Sequence, residues 1–210
     1  MNVKMVNWPG LACAVTAATL VLLSFLYASP WWQAEIGDDM ARANISPLDY
    51  NANLIGTSIG VPIIWFMNLA CKLTFIACAV AFLIYSVATQ KSYSKKLLNF
   101  AYKKPIIIFI SFVVMLVVAS YIVGSFIGRS VPLSGTSTLR ISVGEVTADI
   151  PISTGFTWVF WLSATTTVLA LVAKIYDWKI IRPAFPTTTP PVQEPRETKT
   201  PEAKKPETKK

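Results

Sequence analysis

Lys72 is the one ionisable side chain set well inside a long apolar stretch, and any chemistry in this chain starts from it. An ammonium group at membrane depth costs about 2.5–3.5 kcal/mol on insertion scales, so it faces a protein interior or water and often has a role. Asn68 stands one turn earlier on the same helical face, where its amide is placed to share the lysine's hydrogen bonds. Such a cation attracts anions, which makes a small anion channel or carrier one function open to the chain. Its bland use is structural. A long stem lets the lysine snorkel toward a loop that carries Asp38 and Asp49, with Glu145 in a later loop as a third partner. The apolar spans themselves are expected to contain no acid.

The remaining residue types exclude more than they offer. The chain has no histidine, which removes the commonest general base, proton shuttle and metal ligand. Cys71 and Cys78 lie two turns apart with Met67, a soft-metal set without supporting acids, and free cysteine packs as a small hydrophobe. Cys13 also sits in an apolar run, so no disulfide framework for an exposed domain is expected. The expectation is a protein that is not an enzyme and uses no cofactor or metal.

The elements that must position Lys72 are long apolar helices. Charged residues make up 14% of the chain and hydrophobic ones 53%, against about 25% charged in a soluble domain. The class is therefore an integral, multi-pass protein of the cell membrane. Spans of roughly 20 apolar residues fall at about 10–29, 61–88, 106–127 and 156–177. A charged start before an apolar run also fits a cleaved leader, but Leu26 occupies the small-residue position before a cut after Ala28. Pro62 and Pro105 suit first helical turns. Trp31, Trp32, Trp65, Trp158 and Trp161 suit the aromatic belt at one interface, and Lys174 suits snorkelling at the other.

Orientation follows from charge. Lys91, Lys95, Lys96, Lys103 and Lys104 crowd the segment 89–105 with no acid among them, which holds that loop on the cytoplasmic side. Both termini then lie in the cytoplasm, and 30–60 and 128–155 form outer loops. The net charge of +8 resides in this inner loop and the C-terminal tail, where a membrane face explains it and nucleic acid is not expected. Residues 183–210 are rich in Pro, Thr, Glu and Lys and are expected to be a disordered cytoplasmic tail.

Two local patterns concern contacts. Ser120, Gly124 and Gly128 repeat at a spacing of four in the third span, a face on which another backbone can approach closely, within the chain or from a second copy. In 128–155 the period changes to two. A glycine-first turn at Gly144-Glu145 pairs Val143 with Val146, Ile141 with Ala148 and Leu139 with Ile150 on one face, and Arg140 with Asp149 on the other. Gln33 to Ala43, in the first outer loop, reads as a short acidic surface helix.

The expected fold is thus an all-α membrane protein: a four-helix transmembrane bundle with a small extracellular β-hairpin and a disordered tail. This layout is similar in outline to claudin-like tetraspan proteins, by topology alone. Trp31 and Trp32 are followed by no loop cysteine, so the paired-cysteine pattern of those families is missing. The expected function is a scaffold or accessory subunit of a membrane assembly. Its partners are membrane lipids and either other proteins or a second copy, met through the outer loops and the small-residue face.

Overall fold

The computed structural model describes residues 6–27, 29–37, 40–89, 91, 93–127, 132–143 and 146–184. Four helices carry the chain: α1 (Trp8–Leu26), α2 (Pro62–Val87), α3 (Ser94–Ile127) and α4 (Trp158–Tyr176). All four are long and apolar enough to cross a membrane. They form a closed ring in which α1 packs on α2 and α4, and α3 packs on the other sides of the same two helices. A π-helical turn (Asp177–Ile181) and a short helix, α5 (Arg182–Ala184), extend α4.

Helix α3 corrects the sequence reading. It begins at Ser94, so Pro105 lies inside it and the inner loop of 89–105 shrinks to the few residues before Ser94. Thirty-four residues at about 1.5 Å each make a helix of roughly 51 Å, longer than a hydrocarbon layer of about 30 Å. The basic residues Lys95, Lys96, Lys103 and Lys104 ride on its exposed first turns.

At the other end of the ring stands a six-stranded antiparallel sheet, which replaces the expected small hairpin and makes the all-α description too narrow. Its strands are β1 (Trp32–Ile36), β2 (Ala41–Ile45), β3 (Tyr50–Leu54), β4 (Thr57–Ser58), β5 (Gly135–Val143) and β6 (Val146–Phe156). They are ordered β4-β3-β2-β1-β6-β5. The expected hairpin is present as β5–β6 with the anticipated register, including Arg140 opposite Asp149 and Leu139 opposite Ile150. Gly144 and Glu145, expected at its turn, lie outside the described residues.

The acidic helix expected at 33–43 is instead β1, a turn and β2. Trp32, Ala34 and Ile36 alternate with Gln33 and Glu35, and Ala41, Ala43 and Ile45 alternate with Arg42 and Asn44. Period two places each set on one face. Pairing then stacks Trp32 beside Ile45 and Phe156, and Ala34 beside Ala43 and Thr154. This face delivers Trp32, Ala34, Ile45 and Phe156 to a core that includes Phe112 and Leu116 of α3 and Phe160 of α4.

Two backbone hydrogen bonds lock the sheet to the helices. The Thr157 amide donates to the Trp31 carbonyl (3.0 Å) and the Trp31 amide to the Ile45 carbonyl (3.0 Å). Trp31 itself is fully buried, with its ring edge-on to Phe112 at 5.2 Å and tilted against Phe109 at 6.1 Å. A second core fills the far end with Cys13 and Ala14 of α1, Ala81, Phe82 and Tyr85 of α2, Leu98 and Ala101 of α3, and Ala170 and Ala173 of α4. Alanine at these positions lets the four backbones approach closely.

Candidate functional site

Lys72 lies at the sheet end of the ring, and what it binds is a helix terminus. Its Nζ donates to the Ser24 carbonyl at 3.2 Å and sits 4.8 Å from the centre of the Phe25 ring. Ser24 occupies the last turn of α1, where carbonyls run out of intrahelical partners and the helix carries partial negative charge. The Ser29 hydroxyl serves the same terminus, donating to the carbonyls of Leu23 (3.0 Å) and Tyr27 (3.1 Å). Lys72 and Ser29 together cap α1.

Asn68 shares the face of Lys72 but not its bond. With its amide turned to satisfy both neighbours, it donates to the Pro47 carbonyl (3.2 Å) and accepts from the Tyr50 amide (3.1 Å). It therefore clamps the β2–β3 turn onto α2. That turn is closed by Ser46, whose hydroxyl accepts from the Asp49 amide at 2.8 Å, while Leu48 at its tip is buried. Among the described residues no acid forms an ion pair with Lys72. Asp38 and Glu145 lie outside the described residues, and Asp49 accepts from the Tyr50 amide at 3.0 Å.

Between the turn and α2 the structure leaves an open cleft of about 420 Å³. Lys72 and Asp49 are its charged groups, Asn51, Ser58 and Asn68 add uncharged polar ones, and Phe25, Trp65 and Leu69 line it with apolar surface. Phe25 and Trp65 are both more than 60% exposed, so the cleft opens sideways onto the apolar outer surface of the helices.

The remaining sequence-derived candidates stand apart from the cleft. Arg140 and Asp149 meet in a two-point pair at 2.8 and 3.2 Å on the exposed sheet face, and the carboxylate raises the arginine's proton affinity above its ordinary value. Gly124 is buried and Ser120 half-buried; Gly128 lies outside the described residues.

The densest polar constellation lies at the opposite end and was not foreseen. Asn7 is fully buried. Its amide nitrogen donates to the Tyr85 hydroxyl (3.1 Å) and the Ala173 carbonyl (3.1 Å), and its oxygen accepts from the Gly10 amide (2.9 Å). The Tyr85 hydroxyl donates to Asp177 at 2.6 Å, and Arg182 Nε donates to the other Asp177 oxygen at 2.8 Å. Asp177 is only 4% exposed and belongs to the fourth span-length helix, which overturns the expectation that no span holds an acid.

This network ties α1, α2 and the end of α4 together. Nearby, Lys174 links α4 to α3, donating to Asn99 at 2.6 Å. Gly10 leaves room for two side chains of this end: a Cβ there would stand 2.7 Å from Ser86 Oγ and 3.2 Å from Asn7 Oδ1, so one of them would have to move. Two features of the sequence marked the network. Asn7 precedes Trp8-Pro9, a helix-start pattern, and Asp177 is the single acid between Asp149 and Glu194.

Among the described residues no group of three or more His, Cys, Asp or Glu side chains is arranged to hold a metal ion. Comparison with protein-family models, curated proteins and solved structures found no match.

Proposed function

We propose that this chain is a four-span membrane protein, non-enzymatic, that serves as a scaffold or accessory subunit of a membrane assembly. The sheet faces outward, and both termini and the basic start of α3 face the cytoplasm. Support for the membrane comes from the helix surfaces. Ile63, Phe66 and Leu73 of α2 and Ile107, Ile110 and Val114 of α3 are all more than half exposed, a continuous apolar exterior that water would not tolerate. Support for the orientation comes from Lys95, Lys96, Lys103 and Lys104 at one end of the ring and the sheet at the other.

The observation that carries the scaffold reading is the β3–β4 hairpin tip. Ile55 has φ of 49°, a left-handed conformation in which a β-branched side chain is strained, and it is 77% exposed. Leu54 and Met40 beside it are also exposed, and the Ile55 amide donates to the Met40 carbonyl at 2.7 Å. A strained, water-facing isoleucine in an apolar group is costly to the free protein and suited to a partner surface. Ile55→Asn relieves the backbone strain, because Asn adopts this conformation readily, and should stabilise the chain by about 0.5–2 kcal/mol. The same change should strip stoichiometric companions from protein purified in mild detergent. Companions retained at wild-type level would remove the tip from the interface.

The second reading, an anion channel or carrier, rests on Lys72 lining a cleft. Against it, Thr165, Thr166 and Thr167, the polar run of α4, each bond back to a carbonyl of their own helix at 2.9 Å. Lys72→Met should leave reconstituted liposomes as impermeable to anions as wild type leaves them. An anion flux through wild-type protein that vanishes in the variant would favour the channel.

A further inference from the structure

We propose that the cleft between the β2–β3 turn and α2 is a binding site for one zwitterionic phospholipid of the outer leaflet, with its phosphate on Lys72 and its ammonium beside Asp49. The inference rests on the membrane reading above and adds to it a specific lipid and its place. Three observations fix the ligand's chemistry.

The first is that Lys72 has hydrogen-bonding capacity to spare. An ammonium carries three donors, and within the chain Lys72 Nζ gives one to the Ser24 carbonyl and rests on the Phe25 ring. No carboxylate among the described residues forms an ion pair with it. A phosphodiester oxygen supplies the charge-assisted acceptor that the cation lacks.

The second is the order of charge along α2. Lys72 lies ten positions into the helix from Pro62, about 15 Å along its axis. Asn68, one turn nearer the sheet, holds Pro47 and Tyr50, the residues that flank Leu48 and Asp49. The cleft is therefore positive at depth and negative at its mouth. A zwitterionic lipid has the complementary order, its phosphate next to the glycerol and its ammonium toward water. A free inorganic anion, or the headgroup of an anionic lipid, would meet the Asp49 carboxylate and the negative end of α1 with no cation of its own to offset them.

The third is the wall. Phe25, Trp65 and Leu69 line the cleft and are exposed as well, so apolar surface continues from the cleft onto the outer face of the helices, where an acyl chain would lie. A volume of about 420 Å³ falls within the roughly 300–1,000 Å³ usual for small-ligand sites.

The test is native mass spectrometry of the full chain, delipidated in detergent and offered equimolar phosphatidylcholine and phosphatidylglycerol of identical acyl chains. Wild type should retain one phosphatidylcholine per chain in preference to phosphatidylglycerol, by about tenfold. Asp49→Asn preserves the acceptor for the Tyr50 amide while removing the charge, and should shift that ratio toward phosphatidylglycerol by about tenfold. Lys72→Met should lose both lipids. If Lys72→Met fails to fold, the Asp49→Asn ratio decides alone. No retained lipid, a wild-type preference for phosphatidylglycerol, or an unmoved ratio in Asp49→Asn would each overturn the site. A chain that stays soluble and monodisperse without detergent would overturn the membrane reading and this inference with it.

Discussion

Asp177→Ala should be among the most damaging single substitutions in the chain, although the position stands well away from the sheet and its cleft. The carboxylate accepts from Tyr85 and Arg182, and Tyr85 in turn accepts from Asn7. Deleting it leaves a buried tyrosine hydroxyl without its acceptor and an arginine without its counter-charge. Breaking a fully buried pair costs roughly 3–5 kcal/mol. Arg182 is 37% exposed, so solvent recovers part of that and a loss of about 2–4 kcal/mol is expected. For a chain of this size the thermal midpoint in detergent should fall by several degrees, at about 2–4 °C per kcal/mol. Tyr85→Phe keeps the ring in the far-end core and should cost about 1–3 kcal/mol through the stranded donor of Asn7 and the weakened Asp177. A midpoint unchanged in both variants would mean that the network contributes nothing to holding α1, α2 and α4.

Trp31→Ala is the second large effect, and it acts at the other end. The side chain is wholly buried and joins the end of α1 and the start of the sheet to Phe109 and Phe112 of α3. Removing a buried aromatic costs about 3–5 kcal/mol, because the surrounding structure relaxes only partly into the cavity. Trp31→Phe should be much milder. Trp31 Nε1 is buried without a hydrogen-bond partner among the described residues, so phenylalanine removes an unsatisfied donor while keeping one ring in place. Thermal unfolding that ranks Trp31→Phe equal to Trp31→Ala would contradict the packing account.

The helices were legible because apolar length is a signal that survives without knowledge of neighbours. The β5–β6 hairpin was legible because Leu139, Ile141, Ile150 and the Arg140–Asp149 pair alternate over long strands. Strands β1 to β3 have the same alternation, but in runs of five residues whose inward positions include alanine. Ala34, Ala41 and Ala43 are good helix formers, and with Glu35, Asp38 and Asp39 nearby they mimic an acidic helix. Only pairing across strands gives them a common face. The start of α3 was misread because proline reads as a first-turn residue, whereas Pro105 lies in the helix interior.

At the sites, the unusual residue was visible and its partner was not. Lys72 stood out as a charge in an apolar run, yet its acceptor is a backbone carbonyl 48 positions earlier, which no pattern of side chains encodes. Asp177 was hidden among basic and aromatic residues that suit a helix leaving the membrane. The π-turn extends the helix past Tyr176 and leaves the acid buried inside the bundle. Asn7 carried a cap pattern, and it does cap α1 through the Gly10 amide. Its additional bonds to Tyr85 and Ala173 follow from the ring order of the helices alone.

The proposed crossing of a membrane by four helices, with the sheet on one side and the basic start of α3 on the other, is tested most directly by labelling two exposed positions. Thr57, on β4, and Lys96, on the first turn of α3, are both exposed and mark the two sides. In a background with Cys13, Cys71 and Cys78 replaced by alanine or serine, single cysteines at 57 and 96 would be treated with a membrane-impermeant thiol reagent in intact cells. Labelling of Thr57→Cys before permeabilisation, and of Lys96→Cys only after it, is the result expected. Labelling of Lys96→Cys in intact cells, or of both sites alike in every condition, would contradict the account.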